Sequence, residues 1–337
     1  MADNNNKRPA KRTSGSRGSA SKKSAIPPTP SRTLTEQAMR DVHRVLGNRE
    51  FKNVDEMNAH LKTLFGPGLK EALQDTPPVT TKEEAQELAY RAMDAECEEE
   101  AASFAKQALE KDPDCVDALL IAADLSANSP GELIAALERA VQAGDRLLGA
   151  SFFKKNKGHF WGILETRPYM RARQHLAEAL YEDGQVSKAI KHYEALLELN
   201  PNDNQGIRDL LLGAYLADDN LEGAQRLLQE YGDDGTAVFA WGRTLERILS
   251  ADFAGAAKAL HQARRENPHV ELYLAANKKF PKEMPDSYSL GSDEEALVCV
   301  DILGEAWALH PEALFWLHAQ LLRTGLPLLV QKKGAGS

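Results

Sequence analysis

The chain has 337 residues, 42% hydrophobic and 27% charged, which is long and apolar enough to bury a sizeable core. Its three cysteines, Cys97, Cys115 and Cys299, lack CxxC spacing, which excludes a disulfide framework and a zinc ribbon. No apolar run approaches the ~20 residues that cross a bilayer, so a membrane-spanning helix is excluded too. The net charge of −9 is unevenly spread. Residues 1–33 hold eight Lys/Arg against Asp3 alone, leaving thirty-three basic and forty-nine acidic residues for the remainder. An acidic body repels nucleic acid, so any weak nucleic-acid contact is confined to residues 1–33.

In chain order, residues 1–33 combine Asn, Ser, Gly, Lys, Arg and Pro with almost nothing to bury. Such a composition cannot offset the entropy of ordering, which predicts a disordered basic tail. Lys11-Arg12 and Lys22-Lys23 across a Ser/Gly spacer suit a nuclear signal in a eukaryote or loose contact with acidic surfaces. A short helical segment follows over 34–76, with helices at 34–47 and 54–65 and a break at Gly66-Pro67-Gly68. Thr80 or Thr81 can cap the next helix, with Glu83 or Glu84 three residues on.

From residue 82 to 268 the chain repeats itself. The segment 82–113 carries Ala85, Leu88, Ala89 and Ala92, then Ala101, Ala105 and Ala108 before Pro113. The segment 170–201 carries Leu176, Ala177 and Leu180, then Gly184, then Ala189, Tyr193 and Leu196 before Pro201. Units near 204–235 and 237–268 obey the same grammar, and 114–144 obeys it less regularly. Ala189, Ala224 and Ala256 stand 35 and 32 residues apart, around a 34-residue period. Small residues sit where two helices cross closest, larger ones fill the space between units, and proline ends each pair. The expected fold is all-α, a right-handed superhelical solenoid of helical hairpins. An aromatic insertion at 145–169 interrupts it, and helices over 269–324 cap it. Residues 325–337 should fray.

This grammar resembles the tetratricopeptide superfamily over about 82–268. GHFWGILETRPYMR at 158–171, with NPNDNQGIR at 200–208, resembles the suppressor of tumorigenicity seven group and its soluble bacterial relatives. The resemblance implies tetratricopeptide-like repeats and no established enzymatic activity. The membrane-spanning segments of the eukaryotic members have no counterpart here.

The candidate residues follow from these two observations. Trp161, Arg167 and Tyr169 belong to residue types that dominate interface energies, so the insertion reads as a gripping patch or as a buried plug with Arg167 paired to an acid such as Glu165. The first helices of the hairpins offer Arg171, Gln174, Glu178 and Tyr181, then Asn204, Gln205 and Arg208, as a groove for a peptide. An enzyme would have to be built on His159 and Glu165, with no nucleophile beside them. The nine histidines are scattered without metal-ligand spacing, and there is no phosphate-binding glycine motif. The three cysteines read as buried small hydrophobes of a reducing compartment. The sequence therefore predicts a non-catalytic scaffold for a protein or peptide, without cofactor, metal or membrane, in the cytosol or a eukaryotic nucleus. The partner-binding set is Trp161, Arg167, Tyr169, Arg171, Gln174, Tyr181, Asn204 and Arg208.

Overall fold

A computed structural model describes residues 32–47, 51–64 and 80–323. These form fifteen α-helices and two short 3-10 turns, and no strand occurs among the described residues. Two helices precede the repeats, α1 (Arg32–Gly47) and α2 (Val54–Leu64). Five hairpins follow. They are α3 (Thr81–Met93) with α4 (Glu98–Lys111), α5 (Val116–Ser126) with α6 (Pro130–Asn156), and α7 (Arg167–Glu182) with α8 (Val186–Leu199). Then come α9 (Ile207–Ala217) with α10 (Leu221–Glu230), and α11 (Ala237–Leu249) with α12 (Phe253–Glu266). The chain closes with α13 (His269–Leu274), α14 (Asp293–Leu309) and α15 (Pro311–Arg323).

Local chemistry starts and stops these helices where the sequence places its signals. Thr80 caps α3: its side chain accepts from Glu83 N at 3.3 Å while Glu83 Oε2 accepts from Thr80 N at 2.8 Å. The reciprocal pair satisfies two backbone donors that no helical turn can reach. Between α7 and α8, Gly184 takes φ 80°, a left-handed conformation that costs a side chain energy. Gln185 N can then reach back to Leu180 O at 2.8 Å and end α7.

The alanines pack as their spacing predicts. Ala189, Ala224 and Ala256 are fully buried, as are Ala85, Ala105 and Ala177. Each hairpin packs on the next, and the first helices α3, α5 and α7 lie side by side, as do α9 and α11. We call the face formed by the first helices the inner face. One large core runs from α5 to α15, with Trp241, Trp307, Tyr169 and Phe160 among its largest fully buried side chains. A smaller core joins the α3–α4 hairpin to the start of α5: Ala85, Ala89, Ala108, Cys115 and Ala118.

The structure adds to or corrects the sequence reading at three places. Residues 145–156 of the aromatic insertion continue α6, which bends at Gly149 (φ 74°) and runs on to Asn156. Nothing in DRLLGASFFKKN other than that glycine opposes a helix. Cys97 is exposed at the N-terminus of α4, whereas Cys115 and Cys299 are buried as expected. The closing helices do more than cover the end of the stack, because α14 lies along α9 and α11 on the inner face. Gly213 of α9 makes this approach possible: a β-carbon there would stand 2.8 Å from Ile302 O of α14. The two expected tails fall almost wholly outside the described residues.

Candidate partner-binding face

The inner face of the first three hairpins carries a buried ion network. Asp117 enters it from α5, fully buried in an otherwise apolar run from Val116 to Ile121. A lone buried carboxylate is untenable, and three donors converge on it. Arg171 of α7 forks onto it, Nε to Oδ1 at 2.9 Å and Nη2 to Oδ2 at 2.7 Å, and Gln86 of α3 donates to Oδ2 at 2.6 Å. The remaining nitrogen of Arg171, Nη1, donates to both oxygens of Glu36 at 2.9 and 3.0 Å. Glu36 is itself buried and also accepts from Arg167 Nη1 and from the Tyr90 hydroxyl, both at 3.3 Å. Two arginines thus meet two carboxylates, and the cluster is neutral. Burial alone would push Arg171 toward deprotonation. Asp117 and Glu36 outweigh it and hold the guanidinium charged, above its ordinary range. Burial pushes the Tyr90 hydroxyl up to about 12, so it stays a donor.

Arg167 begins α7 and joins this network to the aromatic turn before it. Its Nε donates to Trp161 O at 3.1 Å, and its guanidinium lies 4.9 Å from the Trp161 ring centre. Its acid partner is Glu36, from 131 residues away. The turn itself divides in two. Phe160 is fully buried, edge-on to Phe152 and tilted on Phe153, and Tyr169 packs edge-on against Phe153 and Phe160. Trp161 stays half-buried at the surface under Arg167. The plug is therefore built from Phe160 and Tyr169, while Trp161 beside it stays at the surface. His159 and Glu165 are exposed.

Residues 171–203, covering most of α7 and all of α8, match the tetratricopeptide repeat family. This hairpin is of the tetratricopeptide type. No curated protein matches the chain. The tetratricopeptide hairpin supplies most of the expected site residues, but it uses them unequally. On α7, positions 167, 171, 174, 178 and 181 share one helical stripe. Gln174 donates to Glu178 at 2.9 Å and accepts from Gln205 of the following hairpin at 2.8 Å. Tyr181 closes the stripe, half-buried. Tyr169 points the other way, into the core, where its hydroxyl accepts from Arg173.

Asn204, expected on a first helix, lies in the turn before α9 and is exposed, whereas Arg208 lies in the first turn of α9 and is half-buried. Arg208 is held by Asp234 at 2.8 Å and sits over the rings of Tyr231 and Phe239 at 5.3 and 6.0 Å. Its backbone N–H and that of Ile207 donate to Asp203 at 3.0 and 2.7 Å, which caps α9. Arg208 is thus tied to Asp203 and Asp234 at the start of α9. Sequence reasoning missed Glu36, Gln86, Tyr90 and Asp117. Asp117 left a legible mark, a charge within an apolar helix. Glu36 left none.

Beside Arg208, Asp209 is half-buried, with its Oδ1 buried and unpartnered. Burial, then the neighbouring Asp234 carboxylate, push its pKa up to about 7, against relief from Arg208. The folded state therefore favours the protonated acid. Stability tied to this group is full below pH ~4 and is lost as pH rises to about 7, while the unfolded chain has already released its proton. Asp209→Asn is expected to match the parent near pH 4 and to exceed its stability at pH 8 by about 2 kcal/mol. Urea unfolding at the two pH values checks this; an equal gain at both would show that the charge is not responsible.

No helix among the described residues is long and apolar enough to cross a membrane.

Proposed function

We propose that the chain is a protein-binding scaffold that takes a helical segment of another protein on the inner face of α3, α5 and α7. The observation that carries this reading is that side chains from α3 and α7 already converge there on one helix, α1, with Asp117 of α5 anchoring the arginine between them. Hairpin stacks of this kind offer long surfaces to extended or helical partners. In this reading Trp161, Arg167, Arg171, Gln174 and Tyr181 line the face; Tyr169 packs in the core beneath it, and Arg208 lies outside it, at the start of α9. The resemblance of 158–171 and 200–208 to the suppressor of tumorigenicity seven group agrees with a role in binding and not in catalysis.

A photo-crosslinking residue placed at Gln174, compared in the native cell with one at the exposed Gln262 of α12, tests the proposal. The expected result is a discrete protein adduct from position 174 that is absent from position 262. Identical adducts from both positions, or none from either, would reject the inner face as the binding surface.

A further inference from the structure

The two halves of the inner face are covered by helices of this same chain, and the two coverings differ in kind. In the second half, α14 is built in. It buries Ala296, Leu297, Cys299, Val300, Leu303, Ala306 and Trp307. Its Glu295 is fully satisfied, accepting from Ala237 N at 2.9 Å, Asn267 Nδ2 at 3.0 Å and Gly291 N at 2.6 Å. In the first half, Val45 is the one buried apolar residue among the described side chains of α1, and Met39 is exposed. The helix is held by polar contacts, and those contacts are incomplete. Arg40 lies 5.7 Å from the Tyr90 ring centre with Nη1 buried and unpartnered, and Arg44 leaves Nε in the same state. Buried donors without acceptors oppose docking, because water would have satisfied them. With so little apolar area to offset that cost, α1 is a weakly held occupant.

We infer that α1 is a stand-in for a partner helix, and that the Arg167–Arg171 pair with Tyr90 reads a glutamate followed four residues later by an arginine. The inference rests on the scaffold reading above and specifies its guest. The geometry states the chemistry required. Arg171 Nη1 and Arg167 Nη1 present two charged donors to one carboxylate, and the Tyr90 ring stands one helical turn away for a cation. A helix with more apolar area than α1, or with acceptors for its own basic residues, would displace it. The hairpins need not rearrange.

The test uses the full chain and a fluorescent helical peptide of residues 32–47, read by anisotropy. The parent chain is compared with Glu36→Arg, which sets the α1 residue against the two arginines and frees the face. The variant should bind the peptide at least about tenfold more tightly, because the intramolecular competitor has been removed. Peptides carrying Glu36→Gln or Arg40→Gln should each bind the variant about tenfold more weakly. Equal affinity for parent and variant would overturn the inference, as would indifference to both peptide changes. A peptide-independent dimer of the parent that dissociates on Glu36→Arg would overturn it in favour of exchange of α1 between copies. Circular dichroism of the variant confirms that the hairpins remain folded. If the peptide fails while the adduct at Gln174 persists, the guest chemistry is wrong and the scaffold reading stands.

Discussion

Asp117→Ala is expected to cost about 3–5 kcal/mol, among the largest losses from any single substitution in the chain. The side chain is fully buried and accepts three hydrogen bonds, two of them from one guanidinium. Its removal leaves Arg171 charged inside the protein, with Glu36 of the weakly held α1 as its remaining counter-ion. The loss measures the stranded cation and not the worth of the pair. Removing both charges in a compatible shape, Asp117→Leu with Arg171→Met, should therefore recover most of the stability. The double variant should also release α1, since Glu36 would lose its strongest partner. Denaturant unfolding of the two single variants and the double variant checks this. A double variant as unstable as Asp117→Ala would show that the ion pair itself, and not the unpaired charge, sustains this part of the fold.

Trp307→Ala is expected to cost about 3 kcal/mol, at the lower end for a buried tryptophan. The ring is almost wholly enclosed in the main core from α14, so its loss opens a cavity that rigid helices on both sides cannot close. The effect stays at the lower end because the indole N–H is buried without an acceptor, and that cost disappears with the ring. Gly213→Leu attacks the same contact from the other side, since even a β-carbon at that position meets the Ile302 carbonyl. Both changes should loosen α14 from α9 and α11 and raise proteolytic cleavage in the 275–292 connection. Cleavage unchanged in both variants would mean that α14 is held elsewhere.

The hairpins were legible because helix pairing leaves a local, periodic trace. Alanines such as Ala189, Ala224 and Ala256 must be small where helices cross, and Pro113, Pro201 and Pro268 fall where each pair ends. The capping box at Thr80 and Glu83 is equally local. The coverings of the inner face were not legible, because they depend on contacts across the chain. The pairing of Glu36 with Arg171 spans 135 residues, and no spacing rule links them. For α14, the helix itself could be read, but not the surface it chooses; Gly213 within α9 was the single residue that marked a close neighbour. The candidate residues divide along the same line. Arg167 and Arg171 could be named as exposed-face residues, yet their function depends on partners from α1 and α5. Arg208 carries the same chemistry and is spent on Asp203 and Asp234 within its own hairpin.

Two helices cover the two halves of the inner face, and the difference in how firmly they are held can be measured directly. Hydrogen exchange of the full chain, followed by mass spectrometry, reports the opening of each helix separately. Residues 32–47 should exchange orders of magnitude faster than residues 293–309, while the five hairpins stay protected. Equal protection of the two segments would mean that α1 is as permanent as α14, with no inner face left for a guest.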